Sequence, residues 1–426
     1  MLRSLIFSRK NNKGKPLKNI FVILLIILLS SKFLFPSDIE IKSLKSYTDN
    51  KTSLPVIING NQNASYLNIE FDINSVRIPA LKLVFRFCDK NWNPTDNVFL
   101  ANNGQNVSPE LDVYNLPVNI EGARYRYEGS FPDEKGYVTF PFSGKWKFFI
   151  TDSFDTSKVY ASGRFFVINQ ELNLNVNIKK QLMEDKVYYP QDLARVFDLT
   201  ASFNLPDDLF PNFVDHVEIL ENKKLDYPIL IDRNFNTIYR QYYWDGNRKF
   251  SFSAKDIKPG NEYRETDSRN VNKFNSKNIK AQFDGLEYSR FFTIGKKDLN
   301  GSFLLTNPQS DFASYLNVTF SIRPPDPSFG DIYLVGAFNN WVVSPDYKME
   351  NSGGVYTKTV ELKRGIYDYQ YVTADYINDE IKNIDWLTLE GNNWQTTNEY
   401  YVFLFYNDPN YGGYDRIIAY RKIISK

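Results

Sequence analysis

DIYLVGAFNNWVVSPDYKMENSGGVYTKTVELKRGIYDYQYV, residues 331–372, decides the fold of the last third of the chain. Ile332 and Leu334 alternate with Tyr333 and Val335, then Tyr356, Val360 and Leu362 keep the same spacing, then Tyr367, Tyr369 and Tyr371. A two-residue period is that of a half-buried strand, so three such runs in one short stretch predict antiparallel sheet. Between the first two runs, Gly336 to Trp341 (GAFNNW) combines a glycine with paired asparagines, which suit a turn and leave a large aromatic at its edge.

This pattern resembles the glycogen-binding module of AMP-activated kinase β-subunits and the early-set domains found beside amylase-type barrels. In that module the Trp of the turn works with a Lys on a following strand and a second Trp just beyond it. Here Gln370 stands at the Lys position and no Trp follows until Trp386. A sugar ring needs an aromatic platform with polar groups that fix its hydroxyls. Trp341, Asn340 and Tyr369 are therefore the candidate contacts for a glycan or a partner, with packing of Trp341 over the sheet end as the simpler expectation.

The first 37 residues contain no acid and place Arg3, Arg9, Lys10, Lys13, Lys15, Lys18 and Lys32 around an apolar run from Ile20 to Leu29. That run is shorter than the roughly 20 residues of a spanning helix and matches the apolar core of a secretory signal. Ser30-Ser31 or the Phe35 to Ser37 segment would serve for cleavage, and an uncleaved anchor is the alternative. The single cysteine, Cys88, leaves no N-terminal cysteine to acylate and forbids an internal disulfide. An exported chain of this kind has to hold together by core burial, and 34 Phe and 29 Tyr supply the material. The whole chain has 51 basic and 50 acidic residues; without the basic residues that precede Ser30 it is mildly acidic. Nothing in that balance points to nucleic acid or anionic lipid.

Removal of the signal leaves roughly 390 residues, enough for two or three domains. Turn-rich breaks near Asn169 to Glu171 and near Asn307 to Asp311 divide the chain into a signal segment (1–36), an N-terminal β-sandwich (37–170), a middle β-sandwich (171–305) and a C-terminal early-set module (306–426). In the first, Leu67 to Ile73 and Leu81 to Phe87 alternate well and read as paired strands. Trp146, Phe148 and Ile150 share one face of another strand, and Arg164 to Val167 closes the sandwich. The best helix candidate, Lys179 to Asp185, offers only a turn or two. The fold class expected is all-β, in tandem immunoglobulin-like sandwiches.

Residues for chemistry are sparse. His216 is the only histidine and sits in a strand-like run, so a His-based acid–base or metal site has no partners at ligand spacing. Cys88 would need an oriented base beside it to act as a nucleophile. No Gly-x-Ser-x-Gly elbow, phosphate-cradling glycine loop with Lys, or His-Glu-x-x-His pair occurs. Asn407 to Asp415 holds oxygen ligands and glycines without the spacing of a defined calcium loop, and reads as a hairpin turn. No enzymatic activity, metal or cofactor is expected. Glu262 and Arg264 lie two apart, facing the same way on a strand but not necessarily in a turn. The polar stretch from Asn102 to Asp112 reads as a docking loop.

Five short segments, in order, resemble the type IX secretion system plug protein family: Phe87 to Pro94 (FCDKNWNP), Ser143 to Phe149 (SGKWKFF), Gly163 to Val167 (GRFFV), Pro259 to Arg264 (PGNEYR), and Glu390 to Tyr400 (EGNNWQTTNEY) with Tyr414-Asp415-Arg416. Phe87 stands where that family has His, Trp146 where it has Tyr, and Gly163 where it has Arg. The residues carrying the resemblance are Cys88, Asp89, Trp92, Ser143, Gly144, Arg164, Phe165, Asn261, Glu262, Arg264, Tyr414, Asp415 and Arg416. The resemblance implies an exported periplasmic protein, monomeric by itself, that closes the periplasmic side of a large outer-membrane β-barrel translocon. A periplasmic glycan-binding protein using the C-terminal module is the alternative.

Overall fold

The computed structural model describes residues 39–60, 65–101, 106–183, 194–305, 313–326 and 330–425. The expected signal segment, the break at 307–311, and part of the 102–112 loop lie outside them. The regular secondary structure of the described residues is almost entirely strand, as the alternation predicts.

The first unit holds β1 (Glu40–Tyr47), β2 (Val56–Asn59), β3 (Leu67–Asn74), β4 (Leu81–Cys88), β5 (Val107–Ser108), β6 (Val113–Asn115), β7 (Tyr125–Phe131), β8 (Gly144–Asp152) and β9 (Val159–Asn169). They make two sheets, β1-β3-β7-β6 and β2-β9-β8-β4-β5. The two alternating strands read as a pair, β3 and β4, are not hydrogen-bonded neighbours. They lie in opposite sheets, and Ile69, Phe71 and Ile73 meet Leu83, Phe85 and Phe87 across the core. Alternation reports a buried face and is the same whether the strand's partner lies beside it or opposite it.

The middle unit adds β10 (Asn175–Leu182), β11 (Arg195–Asn204), β12 (Val214–Glu221), β13 (Ile229–Asp232), β14 (Arg240–Trp244) and β15 (Lys249–Ile257). The helix expected from Lys179 is absent: Lys179 to Leu182 finish β10, paired residue by residue with β11, and Asp185 lies outside the described residues. Val176 and Ile178 turn toward the core, and this period of two overrides the helix propensity of the lysines.

The third unit contains β16 (Arg264–Asp267), β17 (Asn278–Lys280), β18 (Glu287–Tyr288), β19 (Phe303–Leu304), β20 (Tyr315–Arg323), β21 (Asp331–Gly336), β22 (Glu350–Ser352), β23 (Val355–Lys363), β24 (Ile366–Ile377) and β25 (Glu380–Asp385). One sheet runs β16-β24-β19, with β21 and β25 also on β24; the facing sheet runs β17-β20-β23-β22, with β18 also on β20. Of the three runs in 331–372, β21 and β24 pair antiparallel, whereas β23 belongs to the facing sheet. Residues 264–304 thus contribute strands to this sandwich, so the expected boundary at 305/306 falls inside it.

The chain then returns. β26 (Glu399–Asp408) and β27 (Tyr414–Ile424) complete a β13-β12-β26-β27 sheet in the middle unit, which moves 399–424 out of the expected C-terminal module. The Asn407 to Asp415 segment is the turn of this hairpin. Its sheet is covered on both faces. Tyr400, Val402, Leu404 and Tyr406 face the β10-β11-β15-β14 sheet, while Tyr401, Phe403 and Phe405 face β2 and β9 of the first unit. Phe403 stacks on Phe166 at 4.3 Å. Burial on both faces explains why residues 400–406 (YYVFLFY) show no polar alternation, as for any strand without a solvent face. The result is a stack of four sheets with the third sandwich attached at its side.

Candidate functional site

The segments singled out in the sequence gather at two seams between units. At the first, Cys88 ends β4 and Asp89 organises the turn: its carboxylate accepts hydrogen bonds from the backbone N–H groups of Asn91 and Asn93, at 2.9 and 2.8 Å. This turn holds Trp92 at φ 66° and presses its ring on Phe166 at 5.0 Å. Lys145 and Arg164 flank that ring at 4.9 and 5.3 Å. Both cations carry the seam onward, since Lys145 reaches Glu218 of β12 at 2.7 Å and Arg164 grips Asp226 through two bonds of 2.7 and 2.6 Å. Phe165 points the opposite way, into the first core.

Ser143 precedes β8, which Gly144 starts. Gly144 has φ +145°, and a Cβ there would lie 2.6 Å from the Phe87 ring and 2.9 Å from the Asp415 carbonyl oxygen. The returning hairpin therefore seats where only glycine fits. Tyr414 packs edge-on against Phe87 and Phe142, Asp415 accepts from the Lys90 N–H at 3.0 Å, and Arg416 pairs with Glu171 and Asp408 at 3.0 and 3.1 Å. Cys88 is buried, and burial pushes its thiol up to about 12, a protonated state that is a poor nucleophile. His216 is buried too, stacked on Phe405 at 4.3 Å with Nδ1 2.8 Å from Asp215.

The second seam ties the two crossings between the middle and third units. The outgoing strand passes through Pro259 to Arg264 and the incoming one through Glu390 to Asn398. Asn392 Oδ1 accepts from Gly260 N–H at 2.9 Å, Thr396 Oγ1 donates to the Gly260 carbonyl at 2.9 Å, and Asn398 Nδ2 donates to the Pro259 carbonyl at 2.6 Å. Asn261 adds bonds to the carbonyls of Thr293 and Glu390, both 2.8 Å. Glu262 and Arg264 do not pair with each other. Glu262 accepts from Thr397 N–H at 2.8 Å, while Arg264 pairs with Glu390 at 2.9 Å and Glu287 at 2.8 Å. Burial would raise the Glu390 carboxyl, yet Arg264 and Arg290 hold it below its ordinary value. The hydroxyls of Tyr369 and Tyr371 donate to Glu287 at 2.9 and 2.5 Å.

The candidate glycan platform is not formed, and Trp341 packs, as the simpler expectation has it. Trp341 is 1% exposed and Tyr369 fully buried. Trp341 lies 4.2 Å from the Tyr263 ring and its Nε1–H donates to the Gly301 carbonyl at 2.7 Å. Of the three candidate contacts only Asn340, in the left-handed region at φ 53°, is exposed. The turn is as the sequence predicts; what covers the Trp341 ring is residues 263 and 301, far from it in the chain.

Sequence reasoning missed a third joint, between the first and third units. Asp72 of β3 is wholly buried, 2.8 Å from Arg126 and 2.7 Å from Lys363, and it accepts from the Tyr315 hydroxyl at 3.0 Å. Glu70 and Asp72 hold the polar positions of the β3 alternation, and both are buried. Where the three units meet, a cleft of about 410 Å³ opens, with Lys45, Lys51, Lys147, Arg164 and Lys223 in its walls and Asn340 and Trp341 at one side. Among the described residues no group of three or more His, Cys, Asp or Glu side chains is arranged to hold a metal ion, and no helix is long and apolar enough to cross a membrane.

No protein-family model matches the chain, and a search of curated proteins finds no match. Among solved structures, a hypothetical protein from Parabacteroides merdae superposes with a TM-score of 0.70 at 19% identity, covering 90% of this chain and 97% of that one. The likeness establishes a shared fold across nearly the whole length. An adhesion glycoprotein of Streptococcus agalactiae gives a TM-score of 0.13 at 12% identity over 51% of this chain and 85% of that one, which carries no argument.

Proposed function

We propose that this chain is a non-enzymatic, exported component of the type IX secretion system that plugs the periplasmic side of the outer-membrane translocon channel. The observation that carries the reading is the placement of the family-like residues. Asp89, Trp92, Gly144, Arg164, Asp415 and Arg416 build one seam, and Asn261, Glu262 and Arg264 the other. Residues so placed make one stiff body from three sandwiches. A part that obstructs a wide pore needs that stiffness, because a loosely linked string of domains would lose conformational entropy on docking and pass through a gap more easily. The 229–244 segment, which runs from β13 of one sheet to β14 of another, leaves Leu230, Phe235, Ile238, Tyr239 and Tyr243 exposed, side chains of the apolar and aromatic kind that anchor protein interfaces. The glycan-binding alternative lacks the support it was built on, because Trp341 and Tyr369 are buried.

Affinity purification of the tagged protein from solubilised cell envelopes, followed by mass spectrometry, tests the proposal. The expected result is co-purification of one very large outer-membrane β-barrel. Recovery of the protein free in the periplasmic fraction, with no barrel under crosslinking conditions, would overturn it.

A further inference from the structure

The cleft at the junction of the three units has a charge pattern that structural packing does not require. Its walls carry Lys45, Lys51, Lys147, Arg164 and Lys223 against a single carboxylate, Asp226, and Asp226 is already engaged by Arg164. Lys51 is paired with Glu70 at 3.2 Å, and Lys223 lies 3.9 Å from Glu399. Lys147 has no carboxylate partner among the described residues, and it lies in register between Arg86 on β4 and Arg164 on β9. Like charges placed directly opposite on neighbouring strands repel, so this row of three cations is costly unless something negative sits over it. Lys45 strengthens the point. Only 6% exposed, it donates to the Phe303 carbonyl and lies over the Phe303 ring at 4.0 Å, with no carboxylate at ion-pair distance among the described residues. An ammonium has three donors, and a buried cation without an anion is strongly disfavoured.

We infer that this cleft binds a phosphate-bearing small molecule, its oxyanion held between Lys45, Lys147 and Lys223. The volume fits a ligand larger than phosphate itself, since pockets for small molecules begin at about 300 Å³. Cations converging from the first and middle units, with Leu54 of the first and Phe303 and Trp341 of the third also in the lining, suit a charged head on a compact body. The site is independent of the plugging role. It is assembled only when all three units are docked, so its occupancy would favour the docked form by mass action.

The test is calorimetric titration of the purified chain with sodium tripolyphosphate, the simplest probe of this charge class. Binding should weaken about ten-fold or more in Lys147→Met and in Lys45→Met, the loss expected for one charge-assisted contact. Lys135→Met, in an exposed loop outside the cleft, should leave it unchanged. The pH dependence is a second readout. Burial holds Lys45 and Lys223 down at about 7, with Glu70, Lys51 and Lys223 facing the first and Glu399 and Lys422 the second. Affinity should therefore fall as pH rises through 7, although tripolyphosphate itself becomes more negative. No binding at low salt, equal loss in Lys135→Met, or binding insensitive to Lys147→Met would each overturn the inference. So would binding of a hexaglutamate peptide, but not of tripolyphosphate, with the same sensitivity to Lys147→Met, which would reassign the cleft to an acidic protein segment.

Discussion

Lys363 Nζ on β23 lies 2.7 Å from Asp72 Oδ2 on β3, and both side chains are wholly buried. This contact joins the first unit to the third, and Tyr315 and Arg126 complete the shell around Asp72. Removing one member of a buried pair leaves the other charge uncompensated, at a cost of about 3–5 kcal/mol. Because Asp72 keeps Arg126, Lys363→Met should fall at the low end of that range. The urea midpoint of the first unfolding transition measures it, and an unchanged midpoint would show that the joint contributes nothing.

Trp341 should behave as a core residue. Trp341→Ala is expected to destabilise by about 3–5 kcal/mol, and Trp341→Phe, which strands the Gly301 carbonyl, by about 1–3 kcal/mol. On an α-glucan column the unmutated protein should elute unretarded. Retention that disappears in Trp341→Phe without loss of thermal stability would mean that the ring is displayed after all.

Gly144→Ala forces a methyl group into the Phe87 ring and the Asp415 carbonyl. Overpacking of this kind costs about 1–3 kcal/mol, with added backbone strain from the positive φ. The hairpin that ends the chain should loosen first, so hydrogen exchange at Asp415 and Arg416 should accelerate ahead of exchange in β3. Uniform acceleration would contradict this local account.

Arg264→Lys retains the charge and loses the fork that spans Glu390, Glu287 and the Tyr288 carbonyl. A lysine cannot satisfy all three. Stability should drop by about 2 kcal/mol or more, a range set by unsatisfied buried groups. Equal stability of the two proteins in thermal melts would show that charge alone matters there.

Asp298 and Asp368 give the fold an acid-side bias. Burial is the main cause that pushes Asp298 up to about 7 and Asp368 up to about 8, with the nearby carboxylates adding to it. Both folded values lie above the unfolded value of about 3.9. Their contribution is then fully present below that unfolded value and is lost as pH rises through 7 to 8. Asp368→Asn should flatten the decline in melting temperature over that window. An identical slope in the variant would remove this pair as its cause.

The alternation of apolar residues in 67–73, 81–87 and 331–372 settled from sequence that these segments are strands and that the chain is all-β, because strand identity depends on a local period. The turn chemistry of Gly336 to Trp341 and of Asn407 to Asp415 was legible for the same reason. What the tertiary structure alone decided was partnership. β3 and β4 present the same alternation whether paired or facing, and nothing near residue 399 tells the chain to leave one sandwich and return to another. Trp341 likewise has the local sequence of an exposed platform, and only the arrival of Tyr263 and Gly301 buries it. Asp72, Lys363 and Lys45 read as solvated charges until units distant in sequence close over them. Burial and charge pairing between remote segments are properties of the docked fold, and a local pattern holds no record of which surface will be covered.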